Sequence, residues 1–147
     1  MPYSTADDLY KEFGKDNVWV WADLNNEHDE VIILDRISRK IEEADSEIDA
    51  RLRQKAYDVP FTTTPVLVRQ MSALRAGTLL YLGRGITDNN PENHETKVQE
   101  DRYEQLMQDI LSGKLILETG TRARSELATD VDSSESEGVV TLDEYRY

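Results

Sequence analysis

The sequence predicts an all-α protein, in which a small helical domain of about four helices precedes an extended C-terminal arm. Long segments with apolar residues at three- and four-residue spacing, as in amphipathic helices, support the domain. A change of composition supports the arm, because Ser125 to Glu144 contains no Lys or Arg. We therefore expect a helical domain over residues 1–118 and an acidic arm over residues 119–147.

The N-terminal segment predicts a short first helix. Ser4 and Thr5 stand three residues before Asp7 and Asp8, which is the spacing of a capped helix start. An apolar stripe follows, and Gly14 is placed to end the helix.

The stretch from Val18 to Trp21 predicts an extended segment, because it is short and made of β-branched and aromatic residues. In that conformation Trp19 and Trp21 share one side and the two valines share the other. We expect one of these pairs in the core. An exposed tryptophan pair would suit a subunit contact, so Trp19 and Trp21 are candidate partner-binding residues.

A polar loop over Asp23 to Glu30 leads into the longest predicted helix, which runs from about Glu30 to Ala56. Charged residues of both signs fill its polar faces, as on a surface that meets solvent or another subunit. Its predicted core stripe is Leu34, Ile37, Ile41, Ala44 and Ile48, continuing weakly through Leu52.

Two more helices are predicted after a loop that contains Pro60. Thr64 is expected to cap the first of them, with Pro65 at its first position. This helix should be central, because it is the most apolar: Val66, Leu67, Met71, Leu74, Leu79 and Leu82, ended by Gly83 and Gly85. The last helix has the stripe Val98, Tyr103, Leu106, Met107, Ile110 and Leu111 and ends at Ser112-Gly113. Leu115 to Leu117 predicts a short strand-like piece.

The predicted arm combines an acidic body with an apolar end. Its composition is typical of a chain that stays disordered when free. Five apolar residues near the C-terminus provide a docking element, and we predict that they bind a partner. These residues are Val139, Val140, Leu142, Tyr145 and Tyr147.

Composition excludes several classes of protein. The chain has no cysteine, which rules out disulfides, thiolate metal sites and cysteine nucleophiles. Its net charge of −13 has the wrong sign for tight binding of DNA or RNA. Because no apolar run approaches the roughly 20 residues of a membrane helix and the N-terminus does not read as a signal peptide, we expect a soluble protein without a membrane partner.

Three patterns resemble functional sites but lack an essential residue. His94 to Val98 starts like a zinc-protease helix, yet Val98 stands where the second histidine belongs. The acidic loop from Asp23 to Asp29 has His28 in place of the glycine of a calcium loop. Gly83-Arg84-Gly85 lacks the Lys-Ser/Thr of a phosphate loop. We therefore expect no metal, no cofactor and no enzymatic activity.

Three stretches carry a resemblance to a known family: Tyr3 to Gly14, Ile41 to Leu52, and Pro65 to Arg69. The most family-like portion is Ala44-Asp45-Ser46-Glu47-Ile48-Asp49-Ala50, followed by a proline-containing loop. Over roughly Met1 to Gly113 the chain resembles the Mu-like family of small phage neck proteins. The fold of that family is similar to the head-tail connector, or adaptor, proteins of long-tailed phages. The stretch after Gly120 matches nothing in the family.

The resemblance implies a structural protein of the virion neck, assembled in the host cytoplasm. Copies would form a ring of about twelve subunits between the portal protein and a head-completion or tail-terminator protein. DNA would pass through this ring without specific binding, which an acidic wall favours.

Two other classes stay open. A monomeric acidic helical protein with a binding or regulatory role, whose tail mimics nucleic acid, predicts a basic partner and no ring. An enzyme of unrecognised type is the second alternative, for which the sequence offers no constellation of catalytic residues.

Overall fold

A computed structural model of the chain describes residues 1–55, 57–84 and 94–117. Within these ranges the chain forms helices and contains no β-strand, which confirms the all-α prediction. The helices are α1 (Ala6–Phe13), α2 (Lys15–Ala22), α3 (Glu30–Leu52), α4 (Val66–Gly83) and α5 (His94–Leu111), and a 3-10 turn over Arg53–Lys55 extends α3. None of the described helices is long and apolar enough to cross a bilayer.

Helix α4 is the centre of the domain, as its apolar sequence predicts, and it packs against each of the other four helices. Met71, Leu74 and Leu80 are buried on it. Gly77 allows α1 to come close, because a Cβ at this position would overlap the ring of Phe13. The two exceptions to its predicted stripe are Val66 and Leu82, which are exposed.

The first helix begins and ends as predicted. The Thr5 hydroxyl accepts a hydrogen bond from the Asp8 N–H, and the Asp8 carboxylate accepts one from the Thr5 N–H at 2.8 Å. This reciprocal pair satisfies two backbone donors that the helix start would otherwise leave free. Gly14 ends α1 with a φ of 89°, in a region that favours glycine.

The prediction of an extended segment over Val18 to Trp21 is wrong, because these residues lie in α2. Helical spacing places Val18 and Ala22 on one face, and both are fully buried. Preference for strand is a weak tendency that depends on surroundings, and here the burial of this pair outweighs it.

Helix α3 has the predicted amphipathic pattern with two corrections. Ile33 opens the core stripe in place of Leu34, because helical periodicity from Ile37 points back four residues to Ile33. Leu34 is 38% exposed, whereas Ile33 is 2% exposed. The α-helix ends at Leu52 rather than near Ala56, which itself lies outside the described residues.

The structure also bears on predictions for the ends of segments. Pro65 is the N-cap of α4, so Thr64 does not cap it. Leu115 to Leu117 is a loop and not strand-like, and Leu117 is buried there. The predicted end of the last helix is confirmed at Leu111. The arm lies outside the described residues, so the boundary at residue 118 stays a prediction.

Candidate functional site

The helical conformation of α2 separates the two tryptophans that the sequence analysis placed on one side. Trp21 packs edge-to-face against Phe13 and Tyr81, with ring centroids 5.5 and 5.0 Å apart. Such contacts are typical of an aromatic cluster in a core. Trp21 thus ties α2 to α1 and α4, and its role in binding a partner stays a prediction.

Trp19 lies at the edge of the domain and is half-buried. Its indole N–H donates a hydrogen bond to the Tyr10 hydroxyl at 2.8 Å. The Lys15 ammonium lies 5.0 Å from the centroid of its ring, a cation–π distance. These contacts hold the indole in one orientation. The other predicted partner-binding residues, Val139, Val140, Leu142, Tyr145 and Tyr147, lie outside the described residues.

An exposed apolar surface forms where α2 leads into α3. We call the second half of α2, the loop over residues 23–29 and the first turns of α3 the α2–α3 corner. Its exposed apolar side chains are Val20, Leu24, Val31, Ile32 and Leu34, of which Val31 is 76% exposed. Grouped exposure of large apolar side chains is typical of a surface that binds another molecule.

A cavity of about 190 Å³ opens in the α2–α3 corner. Trp19 and Val20 of α2 and Ile33 of α3 form its apolar walls, and Asp23, Asn26 and His28 of the loop complete its lining. A pocket with apolar walls and a polar edge suits one apolar anchor side chain from a partner.

The Asp23 carboxylate organises the loop of the corner. It accepts hydrogen bonds from the backbone N–H groups of Glu27 and His28, both at 3.0 Å, and lies 3.2 Å from His28 Nδ1. These contacts direct the carboxylate to the loop itself, with His28 in a left-handed conformation. Across the described ranges, no group of three or more acidic or histidine residues is placed to hold a metal ion.

Arg84, at the end of α4, fixes the same loop from the other side. Its guanidinium donates hydrogen bonds to the carbonyl oxygens of Val20 and Asp23 and to Asn26 Oδ1. The first two carbonyls lie at the C-terminal end of α2, where helix carbonyls lack partners within the helix and favour a cation. The α2–α3 corner is therefore held in shape by Arg84 from outside it and by Asp23 from within.

The α2–α3 corner is acidic. From Lys15 to Arg36 the chain has six acidic and two basic residues. Asp29 caps α3 by accepting a hydrogen bond from the Val31 N–H at 2.9 Å, while Glu27 and Glu30 are exposed. Apolar side chains thus lie among carboxylates, and this combination favours a partner that carries positive charge.

The opposite end of α3 exposes three basic side chains and, in the same segment, the carboxylate of Asp58. Arg53 and Lys55 are exposed after α3, and Lys114 is exposed after α5. These two segments adjoin, because the Leu117 N–H donates a hydrogen bond to the Tyr57 hydroxyl at 3.3 Å. Ile116, next to Leu117, is 59% exposed. We call Arg53, Lys55, Lys114 and Ile116 the basic end.

Between the two ends, carboxylates of α3 bind groups within the domain. Asp45 accepts hydrogen bonds from the Tyr3 N–H at 2.8 Å and from the Ser72 hydroxyl at 2.5 Å. Ser4 Oγ lies 2.7 Å from Ser72 Oγ. Burial raises the pKa of Asp45 above its usual value, and the hydrogen bonds from Ser72 and Tyr3 only partly offset this rise.

A second group joins α3 to α4 and α5 through Glu47. This carboxylate accepts hydrogen bonds from the Tyr103 hydroxyl at 2.7 Å and from Arg75 Nε at 3.1 Å. Burial raises the pKa of Tyr103, and its hydrogen bond to Glu47 raises it further. These polar groups stabilise the fold, so we place the candidate functional surfaces at the ends of α3.

The α2–α3 corner is not among the surfaces predicted from the sequence, although the sequence contains a signal for it. Val31 to Leu34 is a run of four apolar residues at the start of a helix. A helix packed on one side cannot bury all of such a run, so part of it must face away from the core. Because Leu34 was assigned to the core, the apolar residues of this run that must be exposed were not recognised.

A protein-family model described as "Bacteriophage Mu, Gp36" matches residues 3–135. The match extends past Gly120 to residue 135, so the expectation that the stretch after Gly120 matches nothing in the family is corrected for residues 121–135. No curated protein matches the chain.

Proposed function

This chain belongs to the bacteriophage Mu Gp36 family, and on that premise we propose that it is a structural head-tail connector subunit in the virion neck of a tailed phage. Copies form a ring between the portal protein and the next neck or tail protein, and DNA passes through the ring. The chain contributes binding surfaces and no catalytic step. Family membership is the observation that carries the proposal.

The exposed surfaces of the helical domain support a role in an assembly. A protein that works as a free monomer gains nothing from exposing large apolar side chains, which lower its solubility. The α2–α3 corner exposes several of them, of which Val20 lines a pocket, and the loop of the corner is held by Arg84 and Asp23. A surface organised before binding loses less conformational entropy when a partner arrives.

The net charge supports passage of DNA. At −13 the chain repels a polyanion, so a channel built from its copies would let DNA move without retaining it. In this proposal the arm, with Val139, Val140, Leu142, Tyr145 and Tyr147 at its end, attaches the ring to the portal.

Electron microscopy of the full chain with portal protein, and of virions, tests the proposal. We expect a ring on the portal axis. Deleting the arm from Ser133 onward should abolish attachment while leaving the thermal midpoint of the helical domain unchanged. A full-length variant with Ser133→Ala and Ser134→Ala is the matched control and should attach normally.

Two outcomes would contradict the proposal in different parts. A truncated protein that still joins the neck overturns the role of the arm. Absence of the full chain from purified particles overturns the connector role. In that second case a monomeric acidic binding protein, which the net charge of −13 favours, becomes the better interpretation.

A further inference from the structure

The two ends of α3 complement each other. The α2–α3 corner has an apolar pocket of about 190 Å³, and the same corner exposes the carboxylates of Glu27 and Glu30. The basic end has one exposed apolar side chain, Ile116, in a segment that adjoins the one carrying Arg53 and Lys55. An apolar side chain at a basic end is what an apolar pocket in an acidic corner would bind.

One chain cannot bring these two surfaces together. Helix α3 has 23 residues, which at 1.5 Å per residue makes it about 34 Å long. The α2–α3 corner lies at its start, and the basic end lies beyond its last residue. Contact between the two surfaces therefore requires two copies of the chain.

We propose that the basic end of one copy docks on the α2–α3 corner of the next, with Ile116 entering the pocket. Lys114 and its neighbouring cations then face Glu27 and Glu30. Because the two faces differ, the contact is head-to-tail, and repetition of such a contact produces either a closed ring or an open filament. Closure into a ring rests on the proposed function, whereas the contact itself needs only the two surfaces.

The arm of the same chain is a poorer occupant of the corner. From Ser125 to Glu144 it has seven acidic residues and no basic one. Docking it among the carboxylates of the corner would bring like charges together. The basic end has the opposite sign, and a second copy always supplies it.

Cysteine cross-linking tests the contact directly, because the natural chain has no cysteine. Val20, in the pocket wall, and Ile116 are both exposed, so Val20→Cys and Ile116→Cys should leave the fold intact. A cysteine is itself a small apolar side chain, so position 116 keeps an anchor that can enter the pocket. We expect the full chain with both substitutions to give a ladder of oligomers with a short bis-maleimide. Mixing the two single variants should give dimers and no larger species.

A matched control and a charge swap sharpen the test. Val98→Cys with Ile116→Cys places the first thiol on an exposed position of α5, away from the corner, and should give no ladder. In the Val20→Cys, Ile116→Cys chain, Lys114→Glu should lower the cross-linking yield up to about fivefold, as expected for one exposed ion pair. Adding Glu27→Lys to that chain should restore the yield.

A 20–116 ladder no stronger than the 98–116 control overturns the proposed contact. The proposed contact and the proposed connector role can be overturned independently of each other. A ring on the portal without the 20–116 cross-link leaves the connector standing and removes this contact, whereas the cross-link without any protein in virions supports the contact and removes the connector.

Discussion

The middle of α3 and its first turns are both rich in carboxylates and branched apolar side chains, yet they have different surroundings. In the middle, Asp45 and Glu47 accept hydrogen bonds from other elements, and Ile48 is fully buried. In the first turns, Val31 is exposed and Glu30 faces solvent. The middle of this helix therefore holds the domain together, and its start is the part that we propose binds a partner.

We therefore expect the middle of α3 to determine the stability of the fold and its start to determine association. Substitutions in the middle should change the free energy of unfolding, because their side chains have partners inside the domain. Substitutions of the exposed apolar side chains of the α2–α3 corner should leave that free energy almost unchanged and affect only association. Each of the following comparisons uses a residue from the middle of α3, or its partner, and two of them use a matched residue from the first turns.

The largest effect is expected from Ile48→Ala compared with Val31→Ala. Ile48 is 0% exposed, so its truncation leaves a cavity and should cost about 2–5 kcal/mol of stability. Val31 is 76% exposed, and its truncation should change stability by less than about 0.5 kcal/mol. Chemical denaturation of both variants measures the two values, and similar losses would contradict the separation of roles.

A smaller effect is expected from Asp45→Ala compared with Asp35→Ala on the same helix. Loss of the Asp45 carboxylate leaves the Tyr3 N–H and the Ser72 hydroxyl without this acceptor and should cost about 1–3 kcal/mol. Asp35 makes only an exposed ion pair with Arg39, and its loss should cost less than about 1 kcal/mol. Equal thermal midpoints would show that the contacts of Asp45 do not stabilise the fold.

The sequence alone predicts those helices that have capping residues or a regular apolar stripe. Helix α1 has a reciprocal cap at Thr5 and Asp8 and a glycine at its end, and α5 has a regular stripe. Helix α2 is as short as α1, with eight residues, but it has no side-chain cap at its start and contains a run of β-branched and aromatic side chains. Isolated helices of that length are unstable, so α2 depends on packing that no local pattern reveals.

The two ends of α3 were less accessible to sequence reasoning. The acidic residues of the α2–α3 corner lie close together in the sequence and can be recognised there. The exposure of the apolar side chains at the start of α3, however, depends on which of Ile33 and Leu34 faces the core. The basic end combines Lys55 with Lys114, which are far apart along the chain. Burial of Tyr57 and Leu117 in one core and the hydrogen bond between them bring the two segments together.

The smallest effect is expected from Tyr103→Phe, which probes the contact of Glu47 in the middle of α3. At neutral pH the variant loses the hydrogen bond from the Tyr103 hydroxyl to Glu47, at a cost of about 1 kcal/mol. Arg75 still pairs with Glu47 in the variant, so the carboxylate keeps one partner and the loss stays modest.

The pH dependence of stability distinguishes this hydrogen bond from simple packing of the ring. In the folded protein the pKa of Tyr103 is raised, so above about pH 10 the unfolded chain loses this proton while the folded protein keeps it. The contribution of Tyr103 is thus complete below pH 10 and declines as pH rises further. Unfolding measured between pH 8 and pH 11 should show a shallower loss of stability in Tyr103→Phe, with the remaining slope due partly to Tyr3, whose pKa burial also raises. Parallel curves for the two proteins would mean that the Tyr103 hydroxyl stays as easy to ionise in the fold as in the free chain.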